Sequence, residues 1–325
     1  MVLRPGAPGA ADARIAYAPR VDIGALDNLR IVLDPVGQAG IAGAIVLLMF
    51  SIALGLRVAD FVALAAAPRL FAAGFVVQVI GLPFVTWLVL RVIDVPASIA
   101  LGMLVVACCP GGAVSNFLTW LARGNVAFSV SLTAASSAAA ALLTPASILF
   151  WSSLHRPTAG LLESIDVSPF AFLVQTTVLL LVPLVAGMLV ARHWPAFAVR
   201  IRRNAGRAGS VLLFGVIAWG TWQFFPYLRA ALPLLVTIAV LHNALAFALG
   251  ALTGAILRAP GDVRRALTFE VGIQNSGLAL VILLGQLQGL GGAAAIAGVW
   301  GIWHIVAGFI IVSALRAVDR RGGTK

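Results

Sequence analysis

The chain has 325 residues, of which 61% are hydrophobic and only 10% charged, and it carries a net charge of +11. A soluble domain has about 25% charged residues, so water is excluded as the main solvent. The arginines lie between apolar runs, without the aromatic-interleaved basic stripe that binds nucleic acid.

Residues 1–37 are polar and rich in Gly, Pro and Asp, with no apolar run of the kind that marks a cleaved signal. They read as a disordered tail with an interfacial stretch near Ile31. Nine apolar runs follow, at about 38–57, 69–91, 98–122, 126–152, 168–191, 208–225, 229–257, 264–288 and 292–316, each near the roughly 20 residues a crossing needs. The expectation is an all-α polytopic membrane protein with nine transmembrane helices. Residues 38–316 form its single transmembrane domain and residues 317–325 a basic cytoplasmic tail. Cys108 and Cys109, the only cysteines, are neighbours in an apolar run. They offer neither a disulfide framework nor metal spacing, and read as small packing residues.

Orientation follows from the arginines. Arg192, Arg200, Arg202, Arg203 and Arg207 fill the connection after the fifth run, which the positive-inside rule makes cytoplasmic. By alternation the inner loops also collect Arg57, Arg69, Arg123, Arg258, Arg264 and Arg265, and the tail adds Arg316, Arg320, Arg321 and Lys325. The outer loops hold Arg91, Arg156 and Arg229 beside Asp94, Glu163 and Asp166. This places the chain in a cell membrane with its N-terminus outside and its C-terminus in the cytoplasm. The arginines also read as lipid-headgroup contacts.

Two runs are interrupted. The run 98–122 contains Pro110-Gly111-Gly112, then Ser115 and Asn116; the run 264–288 contains Glu270, Gly272, Gln274, Asn275, Ser276 and Gly277. Proline removes a donor and glycine weakens the helix. Irregular backbone at membrane depth survives only where protein or a water-filled cavity satisfies it. Each interrupted run is the penultimate of its half and precedes one long helix, the pattern of an inverted-repeat transporter with its site at the midplane.

Glu270 is the one acidic residue well inside an apolar run. It must be protonated, paired or bound to a cation. The residues alone leave open a hydrogen-bonded structural carboxyl, a proton relay and a cation site. Ser129, Thr133, Ser136 and Ser137 share one helical face, which reads either as close helix packing or, beside Asn116 and Glu270, as a wall of hard oxygen ligands suited to sodium. Unwound backbone lets Val271 and Ile273 contribute carbonyls. The same breaks present N–H groups near Ala113–Asn116 and Gln274–Gly277, which suit an anion. His242, Asn243 and His304 read as cavity-lining or as buried structural residues, and Gln78 as packing.

The stretch CCPGGAVSNFLTWLARGNVAFSV (Cys108 to Val130) resembles the signature of the bile acid:sodium symporter family, and ALTFEVGIQNSGLA (Ala266 to Ala279) its second signature. VLHN (Val240 to Asn243) and Trp303-His304 also fit, so the likeness runs over roughly Gly40 to Arg316. The resemblance implies a core domain with two crossing broken helices, a separate panel domain, alternating access and, for the nine-span form, loss of the first helix. It implies two sodium sites, one at Ser115, Asn116, Ser129, Thr133 and Glu270. The other would use Gln78, Glu270, the backbone of Val271 and Ile273, and Gln274. Substrate contacts would fall at Ala113, Asn275, Ser276 and His304. Against that resemblance, Ala113 stands where related bacterial members can carry a hydroxyl residue, and Ile305 replaces an amide seen after the Trp-His pair.

The reading is a sodium-coupled symporter of a small organic anion (bile-acid-like, keto-acid or pantoate-like) and not an enzyme. One alternative is a proton-coupled or uncoupled organic-anion or metalloid transporter, the latter placing weight on Cys108 or Cys109. A remote one is an intramembrane enzyme using Glu270 and His304, which lacks a metal or nucleophile motif.

Overall fold

The computed structural model describes residues 26–31, 35–55 and 67–322, with the side chains of 216, 217, 219–228 and 322 left out. Arg57 and Lys325 therefore lie outside the described residues. In chain order the helices are α1 (Pro35–Ala53), α2 (Pro68–Leu90), α3 (Ala97–Cys108), α4 (Ala113–Leu121), α5 (Val126–Ser153), α6 (Arg156–Ser164), α7 (Pro169–His193), α8 (Pro195–Ile256), α9 (Gly261–Gly272), α10 (Ser276–Gly285) and α11 (Gly291–Gly322). Among the described residues, six helical stretches are long and apolar enough to cross a membrane: α1, α2, α5, α7, Arg229–Ile256 of α8, and α11. Their apolar side chains also face outward, as lipid requires. Val76, Ile80, Phe84 and Leu88 of α2, spaced by four, are each at least 42% exposed.

Both interrupted runs are broken where proline and glycine fall. The first divides into α3 and α4 around Cys109–Gly112, the second into α9 and α10 around Ile273–Asn275. The inner halves sit at the centre of the molecule. All residues from Ser98 to Cys108 of α3 and from Leu278 to Leu284 of α10 are buried. A 12-residue helix rises about 18 Å, too little to cross alone, so each half depends on its neighbours. The α3 half lies against α11 and α5, and α10 against α11 and α1.

Helix α2 departs from the uniform helix expected at 69–91. Its turn Val77–Gly81 widens to π-helical spacing, with Leu82 N–H bonding to Val77 O, directly before Pro83. A proline in a helix presses on the carbonyl four residues back; the wider turn relieves that contact, and Gln78 in it is fully buried.

The runs at 208–225 and 229–257, expected as two crossings, belong to one helix, α8, of 62 residues. Between them stand Pro226, Tyr227 and Leu228, a proline without the Gly, Asn, Asp or Ser that would complete a turn. At about 1.5 Å per residue α8 is roughly 93 Å long, three times the hydrocarbon thickness, and it acts as two segments. Gly206 and Gly209 lie against Ser51 and Leu48, antiparallel to α1; Gly250 and Gly254 lie against Leu267 and Arg264, antiparallel to α9.

The segment read as a disordered tail is ordered from Leu26 to Ile31. Leu26 is 2% exposed, Arg30 bridges Leu290, and Ile31 N–H donates to Gly289 O at 2.7 Å. The Asp27 carboxylate accepts from Ala97 N (3.1 Å) and Ser98 N (2.7 Å). It thus caps α3, whose own N-cap residue, Pro96, has no side chain for the task.

Candidate functional site

The two breaks meet. Gly112 N–H donates to Ile273 O (3.0 Å) and Asn275 N–H to Pro110 O (2.9 Å), forming an antiparallel bridge between Gly111 and Gln274. Backbone groups freed by unwinding thus satisfy one another. The remaining end carbonyls are held from outside. Thr144 of α5 donates to Cys108 O (3.0 Å) and Asn243 of α8 to Gly272 O (2.8 Å), so each broken helix has its last carbonyl capped by a side chain from a long neighbour.

Glu270 lies in the last turn of α9 and is completely buried. Its Oε1 accepts from Ser115 Oγ (2.5 Å) and from Ser129 Oγ, and its Oε2 from Thr133 Oγ1 (2.8 Å). Asn116 Oδ1 lies 2.8 Å from Ser129 Oγ, an alternative acceptor for that hydroxyl's one proton, and 3.3 Å from Thr133 Oγ1. The five residues of the first expected sodium site are thus gathered around one carboxylate from α4, α5 and α9. Among the described residues Arg265 pairs with Asp319, and no cation is within ion-pair distance of Glu270. The serine stripe is only half used: Ser136 turns back to Thr133 O (3.2 Å). Thr119, missed in the sequence although it sits four residues from Ser115, extends the cluster through a 3.3 Å bond to Ser129 Oγ.

The second expected set is also adjacent to Glu270. Gln78 Nε2 donates to Glu270 O (3.1 Å) and Gln274 Nε2 to Val271 O (2.9 Å). The Ile273 carbonyl is engaged by Gly112 N–H. Both amides leave a buried oxygen, Gln78 Oε1 and Gln274 Oε1, without a partner. An unsatisfied buried acceptor costs about 1–3 kcal/mol, and two such oxygens suit a small hard cation. Close approach depends on Gly111. A Cβ there would lie 2.6 Å from Gln78 Nε2 and 3.0 Å from Glu270 Oε2.

The residues expected to touch substrate are more scattered. Ala113 is exposed at the start of α4, whose N-cap Gly112 supplies no side-chain bond. Asn275 Oδ1 instead accepts from Leu278 N at 3.0 Å, capping α10. Ser276 lies against Gly301 of α11. His304 is buried, bonded to Trp300 O at 3.0 Å and packed on the Trp300 ring at 4.9 Å. His242 bonds Thr86 at 2.7 Å; with Asn243 it has the structural place that the sequence left open. Cys108 and Cys109 are buried free thiols.

Sequence comparison decides the family. Residues 42–221, more than half of the chain, match the profile of the Sodium Bile acid symporter family. The chain belongs to the sodium bile acid symporter family. That family consists of transporters, not enzymes, and similar proteins within it span bacteria, plants and animals. The "Uncharacterized sodium-dependent transporter YocS" of Bacillus subtilis is 29% identical over 284 residues, 86% of this chain and 84% of that one. The "Probable sodium/metabolite cotransporter BASS2, chloroplastic" of Oryza sativa subsp. japonica is 30% identical over 236 residues, 72% of this chain but only 54% of that protein. The "Ileal sodium/bile acid cotransporter" of Homo sapiens is 26% identical over 262 residues, 79% and 72% of the two chains. The two broken segments read from the sequence are the two that meet at Gly111 and Gln274.

Proposed function

We propose that this multi-pass membrane protein couples the entry of sodium to movement of a small organic anion by alternating access. The observation that carries the reading is Glu270: a carboxylate with no exposed surface, no paired cation among the described residues, and a shell of hydroxyl and amide oxygens. Burying such a charge in a membrane costs at least about 3 kcal/mol. Sodium held by Glu270, Ser115, Asn116, Ser129 and Thr133 removes that cost. A second sodium ion fits Gln78 and Gln274, whose buried oxygens lack partners while their amide nitrogens hold the backbone of Glu270 and Val271, with the Ile273 carbonyl close by in the chain. The relatives named sodium-dependent or sodium/metabolite transporters support the same ion.

The anion belongs at the uncapped start of α4. Gly112 leaves the first N–H groups of that helix without a side-chain acceptor, and Ala113 beside them is exposed, so partial positive charge faces the open. Asn275 already caps α10, making the two half-helices unequal. Bile-acid-like, keto-acid and pantoate-like anions all present the required carboxylate, and Ala113 in place of a hydroxyl favours one that needs no extra donor there. The proposal keeps nine crossings, which requires the chain to reverse within α8 beside Pro226, where a helix can kink, and it keeps an external N-terminus and a cytoplasmic C-terminus in a cell membrane.

Proteoliposomes test this directly. An inward sodium gradient should drive uptake of a labelled organic anion, potassium should not replace it, and a thermal-shift screen should reveal anions that stabilise only with sodium present. Equal uptake without sodium, or driven by a proton gradient alone, would rule the coupling out.

A further inference from the structure

We propose that the protein holds an anionic phospholipid in a second site, the cavity between the C-terminal end of α1 and the junction of α7 with α8. This cavity has a volume of about 1210 Å³, and among the described residues the charged side chains lining it are Arg192, Arg202 and Arg203. Among the described residues none of the three is within ion-pair distance of a carboxylate. The site is built rather than incidental. Ser51 Oγ donates to Arg202 O at 2.9 Å, fixing α8 to α1, and the Arg202 guanidinium lies over Gly55, where a Cβ would displace it. The broken helices contribute no lining residue, so this place is separate from Glu270.

Shape and polarity select the ligand. Beside the arginines the lining is apolar, formed by Leu54, Val185, Met188 and Leu189. Val185 and Leu189 are also the last members of an exposed stripe on α7. Val174, Val178, Val182, Val185 and Leu189, on one helical face, are between 42% and 61% exposed. At about 1.5 Å per residue the stripe runs roughly 22 Å up the helix and ends in the cavity. A phosphodiester on the arginines with an acyl chain along that stripe uses both halves. Inorganic phosphate or a short carboxylate uses the arginines alone. Basic pockets between membrane helices commonly take lipid headgroups for this reason.

The test titrates the purified full-length protein in detergent with phosphatidylglycerol, with phosphatidylcholine of the same chains, with a short-chain phosphatidylglycerol and with inorganic phosphate. Native mass spectrometry reads bound lipid and thermal unfolding reads Tm. Long-chain phosphatidylglycerol should bind and raise Tm, and the other three should do so weakly or not at all. Arg192→Gln with Arg203→Gln should weaken its binding roughly thirtyfold, at about 1 kcal/mol for each arginine. Arg156→Gln, on the far side, should leave it unchanged. Should the glutamine pair fail to fold, Arg192→Lys with Arg203→Lys keeps the charge and should retain most binding, while the comparison of chain lengths needs no variant at all. Equal binding of phosphatidylcholine, full binding by the glutamine pair, or an equal effect of inorganic phosphate or the short-chain lipid would each overturn the site as a phospholipid site.

Discussion

Glu270 draws its role from what surrounds it, and the surroundings divide by atom. Oε1 faces Ser115 and Ser129, Oε2 faces Thr133, and the residue's own carbonyl is held by Gln78. Neutralising the side chain while keeping its shape therefore isolates the charge. Glu270→Gln should abolish the sodium-dependent rise in Tm and sodium-driven uptake while leaving a folded protein. Glu163→Gln, at an exposed position on α6, should change neither. A Glu270→Gln protein still stabilised by sodium would move the ion elsewhere. Gly111 offers a subtler test. A Cβ there would crowd Gln78 Nε2 and Glu270 Oε2 together, and overpacking of this kind costs about 1–3 kcal/mol. Gly111→Ala should therefore weaken sodium affinity, read as a higher sodium concentration for half-maximal stabilisation, with a smaller effect on Tm in sodium-free buffer.

At the scale of elements, the breaks are stable because each has three sources of hydrogen bonds: the other break, a capping side chain and the half-helices' own turns. Thr144 and Asn243 perform equivalent tasks at Cys108 O and Gly272 O. Thr144→Val and Asn243→Leu each leave a buried carbonyl unsatisfied, a loss of about 1–3 kcal/mol. Both should lower Tm by several degrees with or without sodium, which distinguishes a structural cap from an ion ligand. The breaks themselves were legible in the chain because proline and glycine punctuate locally, and Glu270 stood out because a carboxylate is conspicuous among apolar residues. The caps were not legible. Thr144 is 36 residues from Cys108 and Asn243 is 29 from Gly272, and a lone threonine or asparagine in an apolar run carries no sign of what it faces. The π-turn at Gln78 was equally hidden, since Pro83 signals a disturbance but not the direction of the side chain it turns inward. The two runs fused in α8 show the opposite failure, where Pro226 marks a break in the sequence yet the helix continues through it.

For the whole molecule, the two ends are fastened by different chemistry. At one end Arg265 pairs with Asp319 and donates to Ala122 O, while Arg316 donates to Leu121 O, tying α4, α9 and α11 together. At the other end the fastening comes from residues 26–31, which precede the segment matched to the family, 42–221. Asp27 caps α3, Leu26 is buried, and the backbone of Leu29 and Ile31 engages the 289–291 turn ahead of α11. This strap joins the starts of two helices that carry the centre of the molecule, yet it touches none of the residues around Glu270. Its loss should therefore cost stability without cost to ion selectivity. Asp27→Ala removes a charged N-cap, worth about 1 kcal/mol, and should lower Tm modestly. Deleting residues 1–31 should lower it further, because burial of Leu26 and the 289–291 bonds are lost together. In both proteins the sodium concentration giving half-maximal stabilisation should match that of the full chain. A shift in that concentration on deleting the strap would mean that the outer end of α3 controls the Glu270 cluster, and that the two regions form one coupled unit rather than a site and its external brace.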